Sequence, residues 1–285
     1  NNRYPSYKWI KHSVGNKQSL INDQVNSIIE DSEGDLWYGT NNGISLQKSK
    51  TGKWHSYLST FENVQNSKNH IFTTLCEVSP GIIWAGGYFS GIYQIDKRTS
   101  KTTYFTPALY AREDIRPDKY IRDIRKDSHG YIWTGGYYNL KRINVQTKDI
   151  RLYHGLHSVT AIIEKDDKSM WIGTATGLHL LDKESGKFER IQLPVESTYI
   201  YSLYQTKKGS LYIGTSGSGV LIYDPQTKLF THYYTGNCAM ISNNIYTILS
   251  DEDNEILLST ESGLTSYYPK QKTFYNWTKE MGLMT

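Results

Sequence analysis

The stretch IIEDSEGDLWYGTNNGI (Ile28–Ile44) decides the fold, because its pattern recurs along the chain. It contains an apolar run, an Asp-x-x-Gly turn, a tryptophan and a Gly-Thr pair. Six copies align on the tryptophan, and the residues at that position are Trp37, Trp84, Trp133, Trp171, Tyr212 and Leu257. Subtracting these numbers gives spacings of 47, 49, 38, 41 and 45 residues. A period of about 40–50 residues without amphipathic helical patterns is typical of a β-propeller blade.

Each copy has the same internal order. In the first, QVNSIIED (Gln24–Asp31) alternates apolar and polar residues, as a half-buried strand does. DSEG (Asp31–Gly34) is a tight turn, since Asp and Gly tolerate the backbone conformations of a hairpin. The tryptophan strand follows, then GISLQKS (Gly43–Ser49) and KWHSY (Lys53–Tyr57). The order predicts four antiparallel strands per repeat, which is one propeller blade.

We therefore predict an all-β fold: a β-propeller of four-stranded antiparallel blades, forming a single domain over 1–285. Six full blades are expected at 14–57, 58–105, 106–153, 154–191, 192–234 and 235–277. YKWIKHS (Tyr7–Ser13) has the pattern of an orphan outer strand, at 7–13. Because an orphan strand exposes unpaired backbone, we expect a seventh blade whose inner three strands lie beyond Thr285 in a longer parent protein. The alternative is a closed ring of six blades with a loose N-terminal strand.

Composition and charge bear on the class of protein. The 32 basic and 28 acidic residues give a net charge of +4 without long runs of either sign. That balance argues against a nucleic-acid-binding domain, which would show a concentrated basic face. No apolar run approaches the roughly 18 residues that a membrane span needs. Cys76 and Cys238 form no motif, and a disulfide between them is left open.

The repeats resemble those of the two-component regulator propeller family, whose pattern is an apolar strand, Asp-x-x-Gly, then Leu-Trp-Ile-Gly-Thr-x-x-Gly-Leu. Ile28–Ile44 and IIEKDDKSMWIGTATGL (Ile162–Leu178) follow it closely, and the resemblance covers nearly the whole chain. It implies the periplasmic sensor region of a Bacteroidetes hybrid two-component system sensor histidine kinase that responds to glycans. In such proteins two propellers precede a small β-sandwich, a membrane span and the kinase.

Two copies depart from the repeat. GGYFSG (Gly86–Gly91) and GGYYNL (Gly135–Leu140) carry a second glycine in place of the threonine, followed by two aromatic residues. In a propeller this loop shares a face with the connector that enters each first strand. The connectors beside these loops, Leu58–Asn69 and Thr106–Lys119, are the longest in the chain. We predict a ligand-binding site in this sector, formed by Tyr88, Phe89, Tyr120, Arg122, Tyr137 and Tyr138.

The residue types of this sector suit a sugar ring. Aromatic faces fit the apolar C–H face of the sugar, phenol hydroxyls fit its polar rim, and an arginine pairs with sulfate or carboxylate. Two alternatives remain open for the same residues. The tyrosines pack between neighbouring blades, or the sector docks a second propeller or a dimer partner.

We predict no catalytic residue, metal or cofactor. The eight histidines show no paired spacing for a metal. Acidic residues recur at equivalent turns (Asp31, Asp127, Asp166 and Asp251), which favours a structural role over a glycosidase pair.

The predicted function is a non-enzymatic periplasmic sensor domain that takes part in oligosaccharide detection and passes the signal to a histidine kinase outside this chain. The expected partners are an oligosaccharide, the neighbouring propeller and β-sandwich of the same parent chain, and a second copy of the parent in a homodimer. No nucleic acid is expected, and the membrane is reached only through the parent's transmembrane helix. The alternatives are a carbohydrate-active propeller enzyme and a purely structural or dimerisation propeller.

Overall fold

The computed structural model describes residues 9–58, 70–89, 91–105, 120–251 and 255–278. These residues form twenty-four β-strands in six sheets. No helix in the described ranges is long and apolar enough to cross a membrane. The chain divides into two compact units, an N-terminal unit (Asn1–His157) and a C-terminal unit (Ser158–Thr285). Each unit contains three sheets.

In the N-terminal unit, sheets 1, 2 and 3 are antiparallel meanders of four consecutive strands. The strands are β1 (Val25–Glu30), β2 (Leu36–Thr40), β3 (Gly43–Gln47), β4 (Trp54–Tyr57), β5 (Ile71–Ser79), β6 (Ile82–Tyr88), β7 (Gly91–Asp96), β8 (Lys101–Tyr104), β9 (Ile121–Lys126), β10 (Ile132–Gly136), β11 (Leu140–Ile143) and β12 (Ile150–Tyr153).

The C-terminal unit repeats the arrangement in sheets 4, 5 and 6. Its strands are β13 (Val159–Glu164), β14 (Ser169–Thr174), β15 (Gly177–Asp182), β16 (Phe188–Ile191), β17 (Ile200–Gln205), β18 (Leu211–Thr215), β19 (Val220–Tyr223), β20 (Phe230–Tyr233), β21 (Ile245–Ser250), β22 (Ile256–Thr260), β23 (Gly263–Tyr268) and β24 (Thr273–Trp277). Every sheet lies within the limits of one predicted repeat. The prediction of an all-β fold of four-stranded antiparallel propeller blades is confirmed.

The predicted orphan outer strand is only partly described. Residues 9–13 make one isolated parallel bridge, between His12 and Leu20, in place of a longer ladder. On β1, Ile28 is 59% exposed, whereas Leu75 and Ile124, at the same register on β5 and β9, are buried. In sheet 1 the Ile28 side chain is therefore uncovered, although the equivalent side chains of sheets 2 and 3 pack between neighbouring sheets. The seventh blade and the single domain over 1–285 stay predictions.

The apolar cores lie between successive sheets of each unit. Between sheets 1 and 2, Trp37 packs with Phe72 and Leu75. Between sheets 2 and 3, Trp84 packs with Ile124. Corresponding clusters join sheets 4 and 5 and sheets 5 and 6. A buried large aromatic side chain contributes about 3 kcal/mol, so the tryptophan that marks the repeat also holds neighbouring blades together.

The recurring aspartates shape the turn before the tryptophan strand. Asp31 accepts hydrogen bonds from the backbone N–H groups of Glu33 and Asp35 and from the Trp37 indole, the last at 2.7 Å. Asp127 accepts the equivalent bond from Trp133 at 2.8 Å. Asp166 and Asp251 likewise accept a backbone N–H bond within their turns. These bonds support the structural interpretation of the recurring aspartates.

A buried ion network ties sheet 1 to sheet 2. The Lys97 ammonium, which follows β7, lies 2.5 Å from Asp31, 2.7 Å from Asp35 and 2.8 Å from Glu33. The side chains of Lys97, Asp31 and Asp35 are 5%, 0% and 6% exposed. Burial alone would raise the pKa of both aspartates, but the hydrogen bonds from Lys97 and neighbouring groups outweigh it and lower each pKa.

Close approach of successive sheets depends on the glycine that follows the tryptophan by two residues. A Cβ atom on Gly86 would lie 2.5 Å from Ile121 Cγ2 of the next sheet. In the C-terminal unit, a Cβ atom on Gly214 would lie 2.7 Å from the carbonyl oxygen of Ile245. Real Cβ atoms do not come this close, so the glycine lets the next inner strand pack against the backbone.

Each inner strand contains a β-bulge near its start. The pairing register shifts there, and one residue of the strand is left opposite no partner. The bulged residues are Asn26, Thr73, Arg122, Thr160, Tyr201 and Tyr246. Bulges turn a side chain out of the regular alternation and occur frequently beside binding sites.

Candidate functional site

Five of the six predicted site residues form one contiguous aromatic surface in the N-terminal unit. We call Tyr88, Phe89, Tyr120, Tyr137 and Tyr138 the five-ring surface. Tyr120 is its centre: its ring centroid lies 4.9 Å from that of Tyr88, 4.4 Å from that of Phe89 and 6.1 Å from that of Tyr137. The Tyr137 and Tyr138 rings meet edge to face at 5.0 Å. The structure therefore brings together residues far apart in sequence.

These rings are open to solvent. Tyr88 is 41% exposed, Phe89 43%, Tyr137 55% and Tyr138 37%. Tyr88 and Phe89 belong to sheet 2, and Tyr120 immediately precedes β9 of sheet 3, so their contacts do pack neighbouring blades together. The packing alternative thus describes part of the arrangement. It does not account for the large aromatic area left uncovered, which is the property of a ligand or partner surface.

The two departing loops lack a hydrogen bond that closes the same turn in other repeats. In four other repeats the threonine hydroxyl donates a hydrogen bond across the turn to a glycine carbonyl; the threonines are Thr40, Thr174, Thr215 and Thr260. Gly87 and Gly136 occupy that position in the two departing loops and cannot make the bond. The first of these loops instead places Phe89 at φ 62° and Gly91 at φ 65°. A left-handed backbone conformation is energetically costly for phenylalanine. Residues held in such conformations are found frequently at binding sites.

Gly86 positions the centre of the surface. Because it lacks a side chain, β9 packs directly against β6, and Tyr120 reaches Tyr88. The Thr73 hydroxyl fixes the same junction by donating to the carbonyl oxygen of Ile121 at 2.7 Å. The five-ring surface is therefore held by rigid strands rather than by the loops alone.

Arg122, the sixth predicted residue, is exposed and occupies the bulge of β9. The ring contacts that define the five-ring surface run through Tyr120, two residues before it. Its role as a ligand contact stays a prediction. The two long connectors lie outside the described residues, at 59–69 and 106–119.

The Tyr120 hydroxyl at the centre of the surface stays neutral near pH 7. Partial burial, with added repulsion from the phenols of Tyr88, Tyr138 and Tyr137, raises the pKa of Tyr120 above its ordinary value. A neutral phenol both donates and accepts hydrogen bonds. The Tyr138 carbonyl oxygen lies 2.7 Å from Nδ1 of His157, which fixes the loop between β10 and β11.

The cysteines take no part in this surface. Both are free thiols, and burial raises the pKa of Cys76 to about 11. A thiol with a raised pKa is a poor nucleophile at neutral pH.

The structure contains a second aromatic group that the sequence did not predict. Tyr199, Tyr201 and Tyr246, the three-tyrosine surface, lie together in the C-terminal unit. Tyr201 and Tyr246 occupy the bulges of β17 and β21. The strings YIYS (Tyr199–Ser202) and NIYT (Asn244–Thr247) read as ordinary half-buried strands, and the bulge that turns their tyrosines outward is a matter of pairing register.

Comparison with known proteins identifies the repeat. The model of the two component regulator propeller family matches residues 19–42 and 194–217. Both stretches are two-component regulator propeller repeats. The resemblance stated from the residues is confirmed, and the first stretch ends in the Gly-Thr turn of sheet 1.

A curated relative matches nearly all of this chain within a much longer protein. Histidine kinase P4 of Formosa agariphila is 26% identical over 283 residues, which cover 92% of this chain and 20% of that protein. This chain therefore spans about a fifth of the length of this relative.

Solved structures share the propeller fold. The extracellular domain of BT3049 from B. thetaiotaomicron, assigned as a hybrid two component system, superposes with a TM-score of 0.75 at 19% identity, covering 95% of this chain and 37% of that one. Virginiamycin B lyase from Staphylococcus aureus superposes with a TM-score of 0.71 at 15% identity, covering 90% of this chain and 84% of that one. At these identities the likeness shows the fold alone, and the fold is shared by a regulator domain and an enzyme.

Proposed function

We propose that this chain is a ligand-detecting propeller in the extracytoplasmic part of a hybrid two-component regulator, and that its ligand is an oligosaccharide. The observation that supports the ligand most directly is the five-ring surface. The two-component regulator propeller repeats and the likeness to the BT3049 extracellular domain support the sensor class and a periplasmic location.

The geometry of the five-ring surface suits a sugar chain. Rings from two neighbouring sheets meet at angles between 47° and 90°, so they form a faceted platform on which the C–H faces of successive sugar units stack. The tyrosine hydroxyls supply hydrogen bonds to the hydroxyl rim of the sugar. Arg122 at the neighbouring bulge would add a charged contact for a sulfate or carboxylate group.

A binding role is favoured over catalysis at this surface. Tyr120, its central group, has a pKa displaced upward, away from the near-neutral value that suits a general base. The likeness to virginiamycin B lyase is the observation that favours an enzyme as the second candidate, since it shows that this fold also carries a lyase.

Signal transmission would follow from a population shift. A ligand that binds one arrangement of the parent dimer more tightly favours that arrangement, and the kinase outside this chain responds to it. In this proposal the neighbouring propeller and β-sandwich of the parent are the elements that carry the change, and the parent's transmembrane helix connects them to the kinase.

Isothermal titration calorimetry with neutral, sulfated and uronate-containing hexasaccharides tests the proposal. The double variant Tyr88→Ala/Tyr137→Ala removes two exposed rings, each worth about 0.5–1.5 kcal/mol in stacking. The dissociation constant is therefore expected to rise about fivefold to 150-fold. Trp9→Ala, which removes an exposed ring of matched 44% exposure elsewhere in the unit, should bind as the wild type does.

Two results would overturn this reading. If no hexasaccharide binds the wild-type chain, the chain does not detect glycans by itself. If mass spectrometry finds the saccharide cleaved, the chain is an enzyme rather than a binding domain.

A further inference from the structure

Two members of the three-tyrosine surface, Tyr201 and Tyr246, occupy β-bulges. Two inner strands of the N-terminal unit use the same bulge position differently. In the N-terminal unit, the bulged Asn26 donates from its amide to the carbonyl oxygen of Phe72 at 3.2 Å, and the bulged Thr73 donates to that of Ile121 at 2.7 Å. At these bulges a short polar side chain binds the backbone of the next sheet. It holds the two blades together.

Sheets 5 and 6 place tyrosine at the same position. The ring centroids of Tyr201 and Tyr246 lie 5.1 Å apart at an interplanar angle of 67°, and the centroid of Tyr199 lies 5.0 Å from that of Tyr201. Tyr246 is 43% exposed, and Tyr199 and Tyr201 are half-buried. Three rings at the starts of two adjacent strands thus take the place of the short side chains, and Tyr246 faces solvent.

A fixed carboxylate borders the row. Glu261 lies in the turn between β22 and β23, the same loop of the repeat that carries Tyr137 in sheet 3. Its carboxylate accepts hydrogen bonds from the Ser242 hydroxyl at 3.1 Å and from the Asn244 amide at 3.0 Å, which orient it. Glu261 follows Thr260, which pairs in the ladder with Ile245, the residue before Tyr246, so the carboxylate lies beside the start of β21. Burial and the negative charge of Glu261 also raise the pKa of Tyr246.

The Glu261 carboxylate beside the three rings favours some ligands over others. An oriented carboxylate accepts hydrogen bonds from hydroxyl groups, and adjacent hydroxyls of a sugar can donate to its two oxygens. The same charge repels sulfate and uronate groups. The five-ring surface has an arginine at the corresponding bulge, whereas the three-tyrosine surface has a carboxylate beside its bulge, so the two surfaces differ in sign.

We propose that Tyr199, Tyr201, Tyr246 and Glu261 form a second saccharide-binding surface, located in the C-terminal unit and selective for neutral oligosaccharides. The inference rests on the proposed function, because it takes the ligand class of that function and assigns it a further site. The rings would stack on the sugar faces, and Glu261 would hold hydroxyl groups at their edge.

Calorimetric titration of the full chain with neutral hexasaccharides (xylohexaose and mannohexaose) and with oligogalacturonate hexamers tests the assignment. In Tyr201→Ala/Tyr246→Ala the affinity for the neutral hexasaccharide is expected to fall by at least tenfold. Tyr201→Phe/Tyr246→Phe, which keeps both rings, should stay within severalfold of the wild type. Tyr275→Ala removes a ring of 37% exposure from the outer strand of sheet 6 and should change nothing.

Glu261→Gln tests the selectivity, since the glutamine carbonyl oxygen can still accept the bond from the Asn244 amide while its own amide donates to the Ser242 hydroxyl. The affinity for the neutral hexasaccharide should weaken only a few fold, and the affinity for the oligogalacturonate should rise. An unchanged preference for neutral over charged saccharides in this variant would overturn the role given to the carboxylate.

The outcomes separate this inference from the proposed function. If Tyr88→Ala/Tyr137→Ala weakens binding while Tyr201→Ala/Tyr246→Ala binds as the wild type does, the sensor proposal stands and the second surface is wrong. If only Tyr201→Ala/Tyr246→Ala weakens binding, the second surface is supported and the five-ring surface is not the ligand site. A wild-type chain that binds none of the saccharides overturns both.

Discussion

Replacing Lys97 with methionine is expected to lower the free energy of unfolding by about 3–5 kcal/mol. The ammonium is nearly buried and lies within 2.8 Å of Asp31, Asp35 and Glu33. Methionine fills a similar volume but leaves the buried Asp31 carboxylate without its cation and Asp35 with the partly exposed Lys48 alone. Since a buried, uncompensated charge is far costlier than a lost surface ion pair, this substitution should be among the most damaging in the chain. Urea unfolding followed by circular dichroism measures the loss.

Lys48 provides the matched control. Its ammonium lies 2.9 Å from Asp35, but its side chain is 31% exposed, so water replaces much of the interaction when it is removed. Lys48→Met is expected to cost less than about 1 kcal/mol. Equal losses in the two variants would show that the Lys97 network does not hold sheets 1 and 2 together.

The same network predicts a change in acid sensitivity. The pKa values of Asp31 and Asp35 are depressed in the folded chain, so their contribution to stability is complete above the unfolded value of 3.8 and is lost as the pH falls through the folded values. The Lys97 pKa is raised, so its own contribution persists below its unfolded value of 10.5. Lys97→Met should therefore lose less stability than the wild type as the pH falls below about 4. Parallel curves of urea midpoint against pH would contradict this.

Gly86→Ala is expected to lower the free energy of unfolding by about 1–3 kcal/mol and to weaken saccharide binding in the same variant. The added Cβ atom would lie 2.5 Å from Ile121 Cγ2 and 2.9 Å from Ile121 Cβ and Thr74 Cγ2. These atoms belong to packed strands, so β9 must move away from β6. That movement separates Tyr120 from Tyr88 and breaks the five-ring surface at its centre. Urea unfolding and calorimetry measure the two effects on one sample.

Gly39→Ala is the control for this substitution. The equivalent Cβ atom would lie 3.2 Å from the carbonyl oxygen of Phe72 and 3.4 Å from Leu75 Cγ, which small adjustments can accommodate. It should cost less than about 1 kcal/mol and leave binding unchanged, because its nearest neighbours, Phe72 and Leu75, belong to β5 rather than to β9. A Gly86→Ala variant that is as stable as Gly39→Ala, with unchanged affinity, would show that the close approach does not position the site.

The fold could be predicted from the sequence because each repeated residue has a structural role within its own blade or at the next one. Asp31 orders its turn and binds Trp37, and Trp37 packs between sheets 1 and 2. Gly39 admits the next strand, and Thr40 closes the following turn. Such tasks leave the same residue types at the same spacing in copy after copy. The buried network of Lys97 was not predicted, since its partners lie more than sixty positions upstream.

The candidate site could be predicted only where it broke the repeat. The glycines at 87 and 136 replaced a threonine whose hydrogen bond is plain in other copies, and that difference drew attention to Tyr88 and Tyr137. Tyr201 and Tyr246 broke no visible pattern, because tyrosine is common in strands. Their exposure follows from a one-residue shift in pairing, and pairing register is a tertiary property.

The bulges near the starts of β9, β17 and β21 make the fold tolerant of substitution at one point in each of these three blades. The bulged residue adds length to the chain but takes no place in the ladder, so exchanging Arg122, Tyr201 or Tyr246 alters no strand pairing. Ligand preference can therefore drift independently in different blades while the architecture stays constant. A combinatorial library confined to these three positions would search new specificities on a scaffold that does not have to be redesigned.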